Sequence, residues 1–351
     1  MANTDPYKKN YSGYNLGISM LKMLACFLVI VSHIWGVNIV YTGPLGWIYF
    51  LREYAVPVFM ILAFFFSQKM ITQSDWDKIF KRIIKLIVPL FVWALIYWIF
   101  YKLLQEFLYP GYDLKVKDLF LQMFTGNSVY LNGTMWFQVN LIVLTLALAL
   151  IVFVANKFHN ELFALCAIVC IYLQYAGTML FIYKFKAEIA GSVGRLHEMI
   201  PMAVIGYFLA YYGLLEKSRK HWITTILVSL VSLWMIRYYT VIPKPDVQTF
   251  DYGGLRHIVL GLILIFMFYA PPLEKLPKFV HVIVEWLTKY TLGIYCMHRL
   301  VGTLLHYFIS HRTIDIETFT FFDCVLIYVI SYVISFLIAR IPCKWTRMLV
   351  E

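Results

Sequence analysis

Charged residues are scarce in this sequence. Lys, Arg, Asp and Glu make up 14% of its 351 residues, and 62% of the residues are hydrophobic. A soluble domain has a charged fraction of roughly 25%. The mean hydropathy of +0.74 and the aromatic content of 18% point the same way. The composition therefore excludes an ordinary soluble domain and predicts an all-α protein that crosses a membrane many times.

Long polar segments are also lacking. The longest polar connection, Gln105 to Thr134, has about 30 residues, too few for a second folded domain. Apolar runs long enough to cross a core of about 30 Å occur at about ten places. The sequence thus predicts a single integral-membrane domain over residues 1–351 with about ten transmembrane helices. The predicted spans are Leu16 to Tyr41, Gly46 to Met70, Ile84 to Leu104, Met135 to Ala155, Leu162 to Tyr183, Leu196 to Leu215, Trp222 to Val241, Leu255 to Ala270, Trp286 to Ile309 and Phe319 to Ile341.

Positive charge is missing from the first connection, Gly36 to Trp47, which contains neither Lys nor Arg. Basic residues collect instead in the second connection, the sixth connection and the C-terminal tail. With ten spans these segments lie on the same side as Lys8 and Lys9, and Lys and Arg favour the cytoplasmic side. Both termini of a multi-pass cell-membrane protein are therefore predicted to be cytoplasmic. The net charge of +11 fits this bias and the attraction to anionic lipid of the bilayer, and no motif indicates nucleic-acid binding.

Motifs for several kinds of site are absent. The six cysteines form no Cys-x-x-Cys pair, and Cys166 and Cys170 have no His or carboxylate at ligand spacing, so no metal site is predicted. The sequence also has no Gly-rich phosphate loop after a strand and no Gly-x-Ser-x-Gly elbow. The cysteines are interpreted as small packing residues.

Two ionisable residues, Lys22 and His33, do lie inside the first apolar run. Placing an ionisable side chain inside a membrane costs free energy, so such residues are usually functional. Eleven positions make almost three helical turns, so both side chains are predicted on one face of the helix, roughly 16 Å apart. The alternative is that Lys22 extends to the headgroups and His33 hydrogen-bonds a neighbouring helix.

Further polar residues occur near the predicted extracytoplasmic ends of spans. As a set they favour a polar cavity that opens outward, although each could simply form an ion pair between helices. These residues are Arg52, Glu53, Arg195, His197, Glu198, Arg256 and His257. On the other side, Lys81, Arg82 and Lys85 precede Pro89 and could present two or three cations to a polyanion. The alternative for this basic cluster is cytoplasmic anchoring alone.

Five segments in order resemble motifs of the integral-membrane acyltransferase family 3, and the resemblance covers essentially the whole chain. Lys22 and His33, with ten residues between them, resemble the Arg/Lys–His signature of the family's first span. The other segments are Val56-Pro57-Val58-Phe59-Met60, Lys81 to Pro89, Met135-Trp136-Phe137 and Leu292-Gly293-Ile294-Tyr295-Cys296-Met297-His298. The chain departs from the family pattern where Ala63-Phe64 replaces a common Ser-Gly and where Lys22 replaces Arg.

The resemblance implies transfer of an acyl group, most often acetyl from acetyl-CoA or another acyl-CoA, to a hydroxyl of an extracytoplasmic glycan or lipid-linked envelope acceptor. It implies that His33 is the catalytic histidine and that Lys22 occupies the basic position of the motif. Lys81, Arg82 and Lys85 match the segment expected to hold the phosphates of the donor. Trp136 and His298 lie in matched motifs and are assigned to the donor site, with a hydrogen-bonding role for His298 and a catalytic role as its alternative.

The side chains themselves also fit the chemistry of acyl transfer. An alcohol needs a base to remove its proton as it attacks a thioester, and His has the unperturbed pKa nearest to neutral pH. His33 could act as this base or form an acyl-histidine intermediate. Lys22 or the Trp136 indole could stabilise the oxyanion. The alternative function is a proton-coupled transporter of a polar or anionic solute, with Lys22 and His33 lining its pathway.

Overall fold

A computed structural model describes residues 15–34, 43–104, 113–126, 133–157, 168–169, 172, 195–241, 255–310 and 321–351. These residues form α-helices joined by short turns and 3₁₀ segments, with no strand among them, which confirms the predicted all-α class. The helices are α1 (Leu16–Ile34), α2 (Gly43–Leu51), α3 (Ala55–Thr72), α4 (Trp76–Leu103), α5 (Val116–Thr125), α6 (Trp136–Lys157), α7 (Leu196–Tyr211), α8 (Leu214–Ser218), α9 (Trp222–Val241), α10 (Leu255–Tyr269), α11 (Lys278–Thr288), α12 (Thr291–Ser310), α13 (Phe321–Arg340) and α14 (Lys344–Met348).

Several of these helices are long and apolar enough to cross a membrane, as a multi-pass protein requires. Six spans meet this description among the described residues, and a seventh is possible if the helix pair Leu196–Tyr211 and Leu214–Tyr238, bent by 66°, counts as one. The predicted fifth span, Leu162 to Tyr183, falls almost entirely outside the described residues. The predicted ninth span corresponds largely to α12, which is helical but is not one of the six. Ten spans therefore stays a prediction.

The helix that contains the third predicted span begins before the predicted start of that span. α3 continues to Thr72 and α4 begins at Trp76, so the basic residues predicted to lie in a connection from Ser67 to Lys85 are largely helical. Asp75 explains the start, because its carboxylate accepts a hydrogen bond from the Lys78 backbone N–H at 3.2 Å and caps the helix. The same carboxylate binds the Lys78 ammonium, and these two hydrogen bonds lower the pKa of Asp75.

Helix α1 lies at the centre of the helical assembly and packs against α3, α10, α11, α12 and α13. Its apolar side chains Leu21, Ala25 and Leu28 are almost completely buried. At its first turn, Gly17 touches the backbone of α10, because a Cβ added there would lie 1.8 Å from the Phe268 carbonyl oxygen. Only glycine permits this approach, which holds α1 against α10.

Helices α1 and α12 run parallel. The Cys26 thiol donates to the Thr291 carbonyl oxygen at 3.7 Å, and two turns further along each helix the rings of His33 and His298 are 5.5 Å apart between centroids. The equal advance along both helices places the two histidines at the same level.

Helix α3 is fixed against two neighbours through small residues. A Cβ at Gly206 of α7 would lie 2.2 Å from the Ile61 carbonyl oxygen, and a Cβ at Gly261 of α10 would lie 3.0 Å from the Pro57 Cβ atom. The backbones therefore approach too closely for any side chain at Gly206. This packing holds the Val56 end of α3 beside α1, where the candidate site lies.

Candidate active site

A cavity of about 150 Å³ surrounds the side chain of His33. Its described lining comes from α1, α3, α6, α12 and the segments that precede α6 and α7. The residues that matter for its chemistry are His33, Thr134, Trp136, Phe137, Arg195 and Tyr295. His33 is exposed into this space although Ile30 and Val31 beside it are fully buried. No hydrogen bond to its ring forms among the described residues, so the contacts seen do not support a purely structural histidine.

Aromatic and cationic groups line the same cavity as His33. The Arg195 guanidinium carbon lies 5.0 Å from the centroid of the Trp136 ring, a cation–π distance. The Phe137 and Tyr295 rings meet edge to face at 6.0 Å between centroids. The Tyr295 hydroxyl donates a hydrogen bond to the Thr134 carbonyl oxygen, which ties α12 to the turn before α6. Trp136 therefore belongs to the site by geometry as well as by motif.

His298 is fully buried, and its ring centroid lies 5.5 Å from that of His33. Its Nδ1 is 2.7 Å from the Tyr295 carbonyl oxygen, one turn earlier in α12. Since a carbonyl only accepts, we assign the hydrogen to Nδ1, which leaves a lone pair on Nε2 of the neutral ring. That Nε2 atom has no hydrogen-bond partner among the described residues. His298 is thus oriented by the backbone beneath His33 and is not part of the described cavity lining.

A side chain from α4 hydrogen-bonds the backbone of the helix that carries His298. The Tyr97 hydroxyl donates to the Cys296 carbonyl oxygen at 2.9 Å and accepts from the Leu300 backbone N–H at 3.1 Å. In a regular α-helix this carbonyl and this N–H would bond each other. Insertion of a hydroxyl into the ladder is a recognised cause of local helix distortion. Tyr97 therefore shapes the turn of α12 on which His298 lies.

Lys22 lies in the other half of α1 and is absent from the described lining of the His33 cavity. Its ammonium is 4.5 Å from the centroid of the Phe66 ring, and Arg82 of α4 is within electrostatic range. Arg82 donates to the Ala63 carbonyl oxygen at 3.3 Å, while its buried Nε has no partner among the described residues. No ion pair formed within the described residues includes either cation. The positive charges of Lys22 and Arg82 therefore lie near each other, and among the described residues no carboxylate pairs with either.

The predicted basic cluster divides between two surfaces. Arg82 turns inward toward α3 and Lys22, whereas Lys81 and Lys85 are exposed one turn apart on α4. The structure therefore brings together a different pair of cations, Lys22 and Arg82, from the trio that the sequence favoured.

The polar residues predicted near the outer ends of spans also divide. Arg195 lines the cavity, but Glu53 joins the turn before α3 to α10. Its carboxylate accepts from the Arg256 guanidinium at 2.6 Å and lies 3.2 Å from His257 Nε2. The structure thus shows an ion pair of Glu53 with Arg256, with the His257 ring beside the same carboxylate. Sequence reasoning missed Tyr97 and did not assign Arg195 to the site, because neither belongs to the matched motifs.

The described residues contain no group of three or more His, Cys, Asp or Glu side chains that could hold a metal ion. In the comparisons, no curated protein and no solved structure matches the chain. A family described as an acyltransferase domain matches residues 15–340, which include α1 with His33 and extend through α13. Because this match covers nearly the whole sequence, the chain belongs to acyltransferase family 3.

Proposed function

We propose that this acyltransferase moves an acyl group, most simply acetyl, from acyl-CoA to a hydroxyl of an extracytoplasmic envelope glycan or lipid-linked acceptor. Family membership supports acyl transfer. The observation that carries the proposal is the His33 ring, which is exposed into a cavity and forms no hydrogen bond among the described residues. The cavity offers space beside a basic nitrogen, as attack by a hydroxyl group requires.

In the proposed reaction His33 is the general base. It removes the acceptor hydroxyl proton as the oxygen attacks the thioester carbonyl carbon, and the new C–O bond forms. The tetrahedral intermediate then collapses, the C–S bond breaks, and His33 returns the proton to the leaving thiolate. General-base assistance contributes about 10²- to 10⁴-fold to such a rate. An acyl-histidine route would use the same ring as nucleophile.

Lys22 and Arg82 support an anionic donor. Burying a cation is costly unless an opposite charge or sufficient hydrogen bonds compensate it. The Phe66 ring and the Ala63 carbonyl provide partial compensation only. The phosphates of coenzyme A would supply the missing negative charge, and the exposed Lys81 and Lys85 would extend the same positive region along α4.

The separation of these two regions fits a donor that reaches through the protein. Lys22 and His33 are about 16 Å apart along α1 at 1.5 Å per residue. The flexible arm of coenzyme A would cover that length, with its phosphates at the cytoplasmic side and the thioester at His33. The acceptor would enter from the extracytoplasmic side, past Arg195 and Trp136.

The transporter alternative requires one pathway lined by both ionisable residues. Family membership favours group transfer over transport. The experiment below separates the two functions, because a transporter would move solute without leaving label on glycan.

The test uses membranes from cells that lack the chain and from cells that express it. Radiolabelled acetyl-CoA is supplied at the cytoplasmic face, and label on the envelope-glycan fraction is counted. We expect label only when the chain is present, and we expect His33→Ala to abolish it without loss of protein from the membrane. His221→Ala is the matched control, because His221 is an exposed histidine of the turn before α9. Unlabelled glycan with the parent chain, or full activity of His33→Ala, would contradict the proposal.

A further inference from the structure

We propose that Arg195 is a second catalytic residue, whose guanidinium hydrogen-bonds the thioester carbonyl oxygen as it becomes an oxyanion. The inference deepens the acyl-transfer function proposed above and depends on it. It assigns to Arg195 the role that the sequence alone offered to Lys22 or Trp136.

The first support for this role is the position of Arg195 in the cavity. Arg195 and His33 line the same cavity, whereas Lys22 is not part of its described lining. An attacking hydroxyl beside His33 and a carbonyl oxygen beside Arg195 would place the reacting carbon between base and cation. Donors directed at the position where charge develops are usually the largest single contribution to such catalysis.

The second support is the charge of the residues that line the cavity. Of the described lining residues, Arg195 alone carries a permanent charge, and none is an Asp or Glu. Arg195 also immediately precedes α7, a helix of 16 residues. The N-terminal end of a helix carries a partial positive charge, and the acidic residue of the first turn of α7, Glu198, is not part of the described lining. The positive potential favours a developing anion.

The third support is that two hydroxyl groups of the lining already donate hydrogen bonds to backbone carbonyl oxygens. The Tyr295 hydroxyl donates to the Thr134 carbonyl oxygen, and the Ser32 hydroxyl donates to the Val29 carbonyl oxygen at 2.7 Å. A guanidinium has five N–H donors, so it can bind several acceptors at once. The Trp136 ring, 5.0 Å from the guanidinium carbon, provides a rigid face against which Arg195 is oriented.

The proposed contact acts at one point in the reaction. When the acceptor oxygen attacks, the carbonyl π electrons move to oxygen, and Arg195 stabilises the resulting negative charge without transferring its proton. When the C–S bond breaks, the carbonyl reforms and this interaction weakens. Because the contact is strongest in the transition state, it raises the turnover rate more than it raises ground-state affinity.

The experiment measures turnover and half-saturation separately. Purified parent and variant proteins in lipid vesicles receive radiolabelled acetyl-CoA and an envelope-glycan fraction from cells that lack the chain. We expect Arg195→Gln to lower kcat by about 10²- to 10³-fold. The half-saturating concentrations of donor and acceptor should change by less than about threefold, as expected for an interaction confined to the transition state. Arg195→Lys, which keeps the charge but loses the planar fork, should fall between parent and Arg195→Gln.

Arg237→Gln is the matched control, because its guanidinium carbon lies 4.3 Å from the Trp47 ring centroid but it does not line the His33 cavity. We expect its kcat to match the parent. Detergent size-exclusion profiles and acetyl-CoA binding establish that each variant is folded, and Arg195→Lys keeps the test decisive if Arg195→Gln is unstable.

Two results would overturn the assignment. A parental kcat with a raised half-saturating acceptor concentration would make Arg195 a binder of an anionic acceptor instead. Equal kcat in parent, Arg195→Gln and Arg195→Lys would remove it from the reaction. Failure of the proposed function looks different, because the parent itself would then transfer no label and His33→Ala would make no difference.

Discussion

The imidazole rings of His33 and His298 lie 5.5 Å apart between centroids, one in α1 and the other in the parallel helix α12. The His33 ring is exposed to the cavity, whereas His298 is fully buried and oriented by the Tyr295 carbonyl oxygen. The pair therefore combines a ring that substrate can reach with one that supports the cavity wall.

His298→Asn should keep a measurable part of the activity. The Asn amide can donate to the Tyr295 carbonyl in place of Nδ1, although it is useless as a base near neutral pH. His298→Ala cannot form this bond and leaves a void, so it should lower thermal stability or donor affinity. Rate assays together with thermal unfolding in detergent separate these effects. If His298→Asn binds donor normally but is as inactive as His33→Ala, His298 takes part in the chemical step.

Tyr97→Phe should lower activity through the shape of α12. The change removes both hydrogen bonds of the buried hydroxyl and should cost about 1–3 kcal/mol, at roughly 0.5–1.5 kcal/mol for each bond. Cys296 and Leu300 could then bond each other directly, which would move the turn that carries His298. The observable is a reduced kcat at a temperature where the variant is fully folded.

Tyr101→Phe is the control for this prediction. Tyr101 is one turn further along α4, and its hydroxyl contacts the Thr303 side chain at 3.1 Å instead of the α12 backbone. We expect Tyr101→Phe to lower the stability of the protein as Tyr97→Phe does, but to keep a kcat near that of the parent. Equal losses of kcat in the two variants would show that the hydrogen bonds between the Tyr97 hydroxyl and the α12 backbone have no special effect on the site.

Hydropathy predicts many of the spans because burial in lipid requires sustained apolar sequence. The prediction for α10, Leu255 to Ala270, differs from the observed Leu255–Tyr269 by one residue. The start of α4 shows where this signal fails. Trp76 begins the helix but the residues after it are rich in charge, so only the Asp75 cap marks the boundary.

The site itself could be predicted only in part. His33 follows from an ionisable residue in an apolar helix, and Trp136 follows from the family resemblance. The association of Arg195 with His33 depends on packing between remote helices, which local periodicity does not encode. The backbone contact between Gly206 and Ile61 is one such packing feature, since many small residues in the sequence have no comparable role.

The orientation predicted from basic residues can be tested with the native Cys343, which is exposed beside α14. A membrane-impermeant maleimide should label Cys343 only after the membrane is permeabilised, since the C-terminal tail is predicted to be cytoplasmic. In a Cys343→Ser background, Asn38→Cys should be labelled from outside and Ser74→Cys should not. Asn38 lies outside the described residues, so its position is a prediction from sequence. The reverse pattern would invert the proposed paths of donor and acceptor.

Donor affinity should depend more on the inward-facing cations than on the exposed ones. A hydrogen bond to a charged group is worth about 1.5–3 kcal/mol, so Arg82→Gln should weaken acetyl-CoA binding by roughly ten- to a hundredfold. Lys22→Ala should likewise lose most activity, whereas Lys22→Arg should keep it. The Lys81→Gln/Lys85→Gln pair should cost less, because exposed charges are screened. Replacing Lys81, Arg82 and Lys85 together should weaken binding most and reduce its dependence on salt.

Lys78→Gln provides the matched control on the same helix. Lys78 is exposed one turn before Arg82, and its ammonium pairs with Asp75 at 2.5 Å. Removing it takes away one positive charge without touching Lys22 or Arg82, so parental donor affinity is expected. Binding of radiolabelled acetyl-CoA to purified protein over a series of salt concentrations measures both quantities. If the triple variant binds donor with parental affinity, this basic segment serves only to orient the chain in the membrane, and the charge that balances Lys22 and Arg82 must come from another source.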